Sequence, residues 1–119
     1  MKKIEAIIRK TKFQDVEKAL KEEHIDFFSF WDVRGTGNEY QERAYRGIIY
    51  DTSTIERTKI SIIVRDQNVD NTIKTILRAA KTGAVGDGKI FVLDIEQSYR
   101  IRTEESGDKS LYNTDETPA

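Results

Sequence analysis

Apolar residues occupy every second position near the start of the chain. These are Ile4, Ala6 and Ile8, and they alternate with Lys3, Glu5 and Ile7. Successive side chains of a β-strand point to opposite faces, so a period of two indicates a strand with one buried face. The pattern therefore predicts that the chain begins with a β-strand.

A helix is predicted directly after this strand. The segment Thr11–Gln14 has the form of a capping box, in which the threonine accepts a hydrogen bond from the first turn and the glutamine reaches back. Phe13, Val16 and Leu20 then share one face at helical spacing. The helix is predicted to end near His24.

Four further segments complete the pattern. From Ile25 through Phe27–Val33 the chain is aromatic and β-prone, which predicts a second strand covered on both faces. Lys59–Val64 predicts a third strand and Ile90–Ile95 a fourth. Between them, apolar side chains recur at helical spacing within residues 69–80 and predict a second helix.

The order of these elements, βαββαβ, predicts an α+β fold of the ferredoxin-like type. In this arrangement a four-stranded antiparallel sheet carries two helices on one face. The opposite face of the sheet must also be covered, and the chain has no further helix to cover it. Packing against further copies of the same chain is the economical solution.

Two segments lie outside this predicted core. The connection from Gly35 to about Thr54 is polar and, at about 20 residues, far longer than a hairpin needs, so we expect a partner to order it. Residues 103–119, rich in Glu, Ser, Asp and Thr, predict a mobile tail. The folded domain is thus predicted to span residues 1–102.

Composition narrows the function classes. The 119 residues fit one domain, and 20 basic against 21 acidic residues give no support for a general affinity for nucleic acid. Without cysteine, and with His24 as the sole histidine, thiolate sites and multi-histidine metal sites are excluded within one chain. No apolar run approaches the ~20 residues needed to span a bilayer. We expect a cytoplasmic protein.

A glycine-rich loop precedes the fourth predicted strand. Gly83, followed after four residues by Gly88 and Lys89, nearly satisfies the P-loop pattern, but Ile90 stands where a hydroxyl should bind magnesium. A P-loop also opens a helix, whereas a strand is predicted here. The loop is therefore not a P-loop, and on its own Gly86-Asp87-Gly88 is most often just a tight turn.

Three motifs carry a resemblance to the PII signal-transduction proteins, the nitrogen-regulatory family. They are Thr82 with Gly86–Val92, the segment Tyr45-Arg46-Gly47, and Arg100–Thr103, and the resemblance covers nearly the whole chain. The departures are Gly35-Thr36-Gly37 in place of Gly-Phe-Gly, Ile48-Ile49-Tyr50 in place of Ala-Glu-Tyr, and a connection that is one residue shorter.

The resemblance implies a compact homotrimer with three sites for ATP or ADP in the clefts between subunits. Residues 82–89 form the nucleotide loop, in which the amides of Gly86-Asp87-Gly88 make an anion nest and Lys89 supplies a point charge. Two arginines on an extended segment offer forked donors to phosphate, and two glycines with a valine form the other wall of the cleft. The implied nucleotide residues are Ser29, Gly35, Gly37, Val64, Gly86, Asp87, Gly88, Lys89, Arg100 and Arg102.

The function implied by the resemblance is nucleotide sensing that regulates nitrogen metabolism through a partner protein. Residues 35–54 become the "T-loop", and Arg46 becomes the residue that enters the channel exit of a trimeric ammonium transporter. Tyr50 stands where many relatives present a tyrosine for uridylylation, but its context departs from theirs and modification stays open. Glu39, or Asn38 or Tyr40 in another register, replaces a magnesium-binding glutamine. Binding of 2-oxoglutarate is therefore expected to be weak.

Two other function classes compete with this interpretation. A small ATP-hydrolysing enzyme would use the same cleft, with Asp87 or Glu39 positioning the attacking water. An RNA-binding ferredoxin-like domain would show exposed aromatic residues on its central strands within basic surroundings. Arg100 and Arg102, without the resemblance, would most often be solvated charges.

Overall fold

The structure is a computed structural model that describes residues 1–36, 42–45, 48–51 and 55–112. Its elements follow the chain with short 3₁₀ turns between some of them. The strands and helices are β1 (Lys2–Arg9), α1 (Phe13–Glu22), β2 (Ser29–Gly35), β3 (Glu42–Tyr45), β4 (Ile48–Asp51), β5 (Ile55–Val64), α2 (Val69–Ala80) and β6 (Gly88–Asp94).

Four of these strands form one antiparallel sheet in the order β2-β5-β1-β6. This is the strand order of a split βαβ unit, because the two strands that flank each helix are not neighbours in the sheet. The predicted ferredoxin-like α+β fold is confirmed. Among the residues that the structure describes, all the buried apolar residues of the sheet lie on its two central strands, β1 and β5.

The core lies between the sheet and the two helices. Alternate residues of β1 and β5 point toward the helices, as the period-two pattern predicts, and meet the apolar face of each helix. The buried apolar side chains are Ile4, Ala6, Ile8, Val16, Ala19, Leu20, Ile60, Ile62, Val64, Ile76 and Ala80. Each large aliphatic side chain buried here contributes about 1.5–3 kcal/mol, which makes this layer the main source of stability.

The predicted capping box at the start of α1 is wrong. A 3₁₀ turn over Lys10–Lys12 leads into the helix, Lys12 takes the cap position, and no side chain caps the first turn. The amide of Phe13 donates instead to the carbonyl of Lys10. Thr11 lies within the 3₁₀ turn, so the backbone satisfies an amide that the sequence pattern assigned to a side chain.

The end of α1 explains why the second strand begins later than predicted. His24 has a φ of 61°, its amide donates to Lys21, and the amide of Ile25 donates to Leu20, which is a Schellman motif. After this motif Ile25 and Phe28 pack against the core, and strand pairing starts only at Ser29. The predicted start at Ile25 is therefore wrong by four residues.

The prediction that this strand is covered on both faces is also wrong for the single chain. Six of the seven residues of β2 are exposed, including Phe30 and Trp31, and Val33 is only half-buried. Among the described strands β2 pairs with β5 alone and lies at the edge of the sheet, and aromatic content does not distinguish a covered central strand from an edge strand.

The long connection between β2 and β5 contains a two-stranded antiparallel hairpin, β3 with β4. Residues 37–41, 46–47 and 52–54 lie outside the described residues, as do residues 113–119. At the other end of the chain, residues 103–112 remain against the domain and include a 3₁₀ turn over Gly107–Leu111. The predicted mobility of the tail stays a prediction, but its first ten residues have defined contacts.

Candidate functional site

The strand register separates the predicted nucleotide residues into two groups at opposite ends of the sheet. Gly88 pairs with Ile8, whereas Val64 pairs with Lys2 at the far end of the same strand β1. Six residues of strand at about 3.3 Å each put some 20 Å between these two rows. We call the first the loop end and the second the tail end of the sheet.

Gly35 belongs to the loop end. It closes β2 opposite Ile55, which is the first residue of β5, while Val64 is the last residue of that strand. Nine steps along a strand span about 30 Å. The expectation that Gly35 and Val64 share one wall of a cleft is therefore wrong within one chain, and Gly37 lies outside the described residues.

The glycine loop leads from α2 into β6, and its shape requires glycine. Val85 and Gly86 form a turn in which Gly86 has a φ of 103°, and Gly88 follows with a φ of 97°. A Cβ at Gly88 would lie 1.7 Å from the carbonyl oxygen of Ile7. The strand after the loop, rather than a helix, confirms that this is not a P-loop.

Asp87 holds the loop together from within. Its carboxylate accepts hydrogen bonds from the amides of Thr82 and Gly83, each at 2.9 Å, and from the Thr82 hydroxyl. The guanidinium of Arg9 donates to the same carboxylate at 3.1 Å. The Thr82 hydroxyl, with these other donors, holds the pKa of Asp87 well below its ordinary value. Asp87 thus shapes the loop as an internal acceptor and remains a carboxylate.

Arg9 is a residue of the loop end that the sequence did not single out. Besides Asp87, it donates to the carbonyl of Val85 at 2.8 Å, so one guanidinium spans both sides of the Gly86 turn. Its Cα partner on β5 is Arg57, whose pKa is lowered by burial and by the charge of Arg9. The one signal in the sequence was its position just after the last buried residue of β1.

Lys89 points away from the helices, on the open face of the sheet. Its Cα partner is Ile7, and its side chain is exposed. Among the ion pairs of the described residues, none involves Lys89. The loop end therefore presents the exposed ammonium of Lys89 beside a loop that the hydrogen bonds of Asp87 hold in place.

The tail end is arranged differently. Val64 is 8% exposed and belongs to the core, so only its backbone can face a ligand. Arg100 is half-buried and lies over the C-terminal residues, whereas Arg102 is exposed. The predicted extended segment is wrong: residues 101–103 form a turn, closed by the amide of Glu104 donating to the carbonyl of Arg100 at 2.8 Å.

The remaining predicted residues are divided between the described and the undescribed parts of the chain. Ser29 opens β2 opposite Ser61, midway between the two ends, and is exposed. Tyr50 lies in β4, opposite Arg43 of β3. Glu39 and Arg46, which carry the metal and partner predictions, lie outside the described residues.

The open face of the sheet combines apolar and charged side chains. Trp31, Ile63, Phe91 and Leu93 are each between 41% and 46% exposed, a large apolar content for a free surface. At its centre Glu5 pairs with Lys3 at 3.1 Å and Lys59 at 3.6 Å; Lys3 chiefly lowers the pKa of Glu5. The Lys59 ammonium also sits 5.5 Å from the ring centre of Trp31.

No α-helix among the described residues is long and apolar enough to cross a membrane. The fold and the loop together define a small ferredoxin-like domain with a glycine-rich, lysine-tipped loop at one end of its sheet. The family model for nitrogen regulatory protein P-II matches residues 1–105, and the chain belongs to that family. The match includes both ends of the sheet and the entire long connection.

Individual relatives agree over almost the entire chain. The chain is 41% identical to nitrogen regulatory protein P-II 2 of Methanothermobacter thermautotrophicus over 93% of its length and 97% of the relative's. It is 43% identical to nitrogen regulatory protein P-II 1 of Escherichia coli K12 and to nitrogen regulatory protein P-II of Klebsiella oxytoca, over 93% of its length and all of each relative. These relatives are named as regulatory proteins and not as enzymes.

Proposed function

We propose that the protein is an ATP- and ADP-sensing regulator of nitrogen metabolism that acts in the cytoplasm by binding a partner protein. The observation that carries the proposal is the loop end: a preshaped glycine loop with the exposed ammonium of Lys89 beside it. A rigid loop with unpaired positive charge suits phosphate, because little ordering remains to be done on binding. Membership of the P-II family supports the same conclusion.

The separation of the two ends supports a site shared between subunits. Lys89 is the second residue of β6, whereas Arg100 lies beyond the far end of that strand, where it contacts Tyr112 at the tail end. The two cations are therefore too far apart to hold one triphosphate within a single chain. Two copies could place the loop end of one beside the tail end of the other. The exposed Trp31, Ile63, Phe91 and Leu93 give such copies an apolar face to bury. A homotrimer with three equivalent clefts satisfies both requirements.

The partner that we propose is a trimeric ammonium transporter, approached through the connection between β2 and β5. Arg46 would enter the exit of each conduction channel, where its stem fills the pore and its guanidinium donates hydrogen bonds. Threefold matching of the two trimers would strengthen a weak contact by raising the effective concentration.

Magnesium and 2-oxoglutarate have a smaller part in the proposal. Glu39 can hold Mg²⁺ bound to ATP through its carboxylate oxygens, but its charge repels a dicarboxylate. Arg57 supplies a cation at the loop end, and its guanidinium also donates to the carbonyl of Glu56 at 3.0 Å. We expect ATP against ADP to be the main input, with 2-oxoglutarate adding little.

The competing function, ATP hydrolysis, loses one of its two candidate bases. A general base works best with a pKa near the operating pH. The pKa of Asp87 is shifted in the opposite direction and its oxygens already accept four hydrogen bonds. Turnover of ATP that falls on Asp87→Asn, with the fold intact, would revive this alternative.

Calorimetric titration with ATP and with ADP tests the proposed site. Both nucleotides are expected to bind once per subunit, and Lys89→Ala is expected to weaken both about ten- to a hundredfold, the value of a charge-assisted contact of about 1.5–3 kcal/mol. Lys74→Ala, which removes a lysine from the surface of α2, is the matched control and should change nothing. Unchanged affinity in a folded Lys89→Ala variant would remove the nucleotide from this loop.

A binding assay with a detergent-solubilised ammonium transporter tests the partner. The wild type is expected to bind, and Arg46→Ala is expected to lose binding, while Arg78→Ala on the exposed side of α2 retains it. Equal binding by the wild type and Arg46→Ala would refute insertion of this side chain. Absence of binding by the wild type would direct the search to another target.

A further inference from the structure

The residues after Arg100 turn back on the domain instead of leaving it. The amide of Arg100 donates to the carbonyl of Glu105 at 2.8 Å, and Tyr99 forms a β-bridge with Ser106. Glu104 has a φ of 61°, which closes this reversal. Beyond it residues 107–111 form a 3₁₀ turn. We call residues 105–112 the C-terminal strap.

The strap encloses the guanidinium of Arg100. Its Nη2 donates to the backbone carbonyls of Lys109, at 3.3 Å, and of Tyr112, and its Nη1 lies 3.7 Å from a carboxylate oxygen of Glu105. The Arg100 side chain is 16% exposed as a result. Three acceptors of one short segment thus occupy the fork of donors that a phosphate would require.

Other contacts hold the strap in place. The Ser110 hydroxyl lies 2.7 Å from both the Ser98 hydroxyl and the carbonyl oxygen of Gly107, so Ser98 can donate to Ser110 and Ser110 to Gly107. The amide of Gly107 donates to the Ser98 carbonyl at 2.9 Å. The ring of Tyr112 is 5.1 Å from the guanidinium of Arg65. The strap is therefore docked by contacts that do not depend on Arg100.

These contacts are few and lie near the surface. Leu111 and Tyr112 are the large apolar side chains of the strap, and both are only half-buried. Segments held by a few solvent-accessible hydrogen bonds open at low free-energy cost. A phosphate with its full negative charge is also a better acceptor for a guanidinium than a neutral carbonyl. An anionic ligand can therefore displace the strap.

We propose that the C-terminal strap is an autoinhibitory segment of the nucleotide site: a polyphosphate reaches Arg100 only when the strap has released it. The inference rests on the proposed nucleotide-binding function and adds a regulation of that site. Because only the open fraction of molecules can use Arg100, docking lowers the apparent affinity by that fraction. Arg102, which is exposed, remains accessible in both states.

Shortening the chain tests the strap directly. Calorimetry with ATP is expected to give about tenfold tighter binding for a chain that ends at Glu104, and so lacks the whole strap, than for the full chain. A chain that ends at Thr114 keeps the strap and leaves the Tyr112 carbonyl within a peptide bond, so it is the matched control, with unchanged affinity expected. Equal affinity of all three chains would overturn the inference but leave the nucleotide site intact. Weaker binding after removal of the strap would make it part of the site, which also overturns autoinhibition.

A second pair of variants serves if the shortened chain does not fold. Ser110→Ala removes the contacts to Ser98 and Gly107 and is expected to tighten ATP binding about threefold in the full chain. Asp108→Ala changes an exposed side chain of the same turn and should have no effect. Equal affinities for the two variants would overturn the inference. If neither the wild type nor any variant binds ATP or ADP, the proposed function itself is wrong.

Limited proteolysis measures whether the strap is open, without a measurement of affinity. Trypsin cleaves after Lys109, whose carbonyl accepts a hydrogen bond from Arg100 in the docked strap. Saturating ATP is expected to accelerate this cleavage severalfold, because it shifts the strap to its open state. Cleavage after Lys21, in the last turn of α1, reports on the rest of the fold and should not change. Slower cleavage after Lys109 with ATP would contradict release of the strap.

Discussion

The cationic side chains at the two ends of the sheet, Lys89 and Arg100, have opposite surroundings. At the loop end Lys89 is exposed, and the acceptor charge of the loop is supplied internally by Asp87. At the tail end Arg100 is enclosed by backbone carbonyls and a carboxylate of its own C-terminal strap. The loop end thus has a fixed loop and an exposed cation, whereas the cation of the tail end is already paired with acceptors of its own chain.

This difference separates two ways of preparing a binding site. A loop fixed by internal hydrogen bonds loses little conformational freedom when a ligand arrives, which favours affinity. A cation paired with its own chain must first exchange partners, which lowers affinity but couples binding to movement of a segment. The proposed nucleotide cleft would join one end of each kind, from two subunits.

The largest expected effect concerns the backbone at the loop end. Gly88→Ala is expected to lower the free energy of unfolding by about 3 kcal/mol or more, because the new Cβ would lie 1.7 Å from the Ile7 carbonyl oxygen at a φ of 97°. Chemical denaturation of the purified chain measures this loss.

Two other glycines provide matched controls for this substitution. Gly83 has a φ of 89°, and Gly107 in the strap has a φ of 72°. A Cβ added at either glycine would have no atom within 4 Å, so only backbone strain remains. Alanine at either position is expected to cost about 1 kcal/mol. Similar losses for all three substitutions would show that the close approach of Gly88 to β1 does not matter.

The next effect belongs to Asp87. Asp87→Asn is expected to lower stability at neutral pH, because an amide cannot serve as acceptor for all the donors that surround this carboxylate. The pKa of Asp87 is lower in the folded than in the unfolded chain. Its stabilising effect is therefore complete above the unfolded pKa of about 3.9 and is lost as the pH falls toward the folded pKa.

Denaturation at three pH values checks this sign. The stability difference between the wild type and Asp87→Asn is expected to be the same at pH 8 and pH 6 and to shrink below about pH 4. Asp108→Asn, in the exposed part of the strap, provides a control with no such difference. A difference that grows on acidification would contradict the role of the carboxylate as internal acceptor.

Most of the fold was predictable because the pattern of each element is local. The alternation in β1 places the correct residues in the core, and the order of elements gives the sheet topology. In α2 the helical spacing finds Ile76 and Ala80, but Leu77 is 51% exposed, and Thr72 and Thr75 are buried in its stead. The prediction was wrong where the backbone supplies a partner or a turn that the side-chain pattern does not show. A 3₁₀ carbonyl replaces the Thr11 cap, and the Schellman motif at His24 delays β2.

The sequence allowed the residues of the candidate site to be predicted, but not their arrangement in space. The motif around Gly86–Lys89 identified the loop, but no local pattern shows that Asp87 turns inward or that Arg9 holds it. The separation of Gly35 from Val64 depends on the register between strands that are distant in sequence. The enclosure of Arg100 depends on a chain reversal at Glu104, where a positive φ falls on a residue that gives no signal for it.

A double-mutant cycle compares the two ends through their cations. In the full chain Arg100→Ala is expected to weaken ATP binding less than about fivefold, because the substitution removes a phosphate donor but also releases the strap. In the chain that ends at Glu104 the same substitution is expected to cost about tenfold or more. Lys89→Ala should cost the same in both chains, since the substitution removes a phosphate contact without changing how often the strap opens. Equal costs of Arg100→Ala in both chains would show that the strap and the nucleotide do not compete.

The smallest expected effect separates the two ends by their response to salt. At the loop end Lys10 lies 3.3 Å from Asp32 and 3.9 Å from Glu56, and all three side chains are more than half exposed. Exposed ion pairs of this kind contribute less than about 1 kcal/mol, and salt screens them because the Debye length falls to about 3 Å at 1 M. Lys10→Ala is therefore expected to cost about 0.5 kcal/mol at low salt and nothing measurable at about 1 M NaCl.

At the tail end Arg100 is enclosed and two of its three acceptors are neutral carbonyls, which ionic screening affects far less. Protection of Lys109 from trypsin should accordingly persist at high salt in the absence of nucleotide. Loss of that protection in salt would mean that Glu105, and not the carbonyl contacts, holds the strap in place.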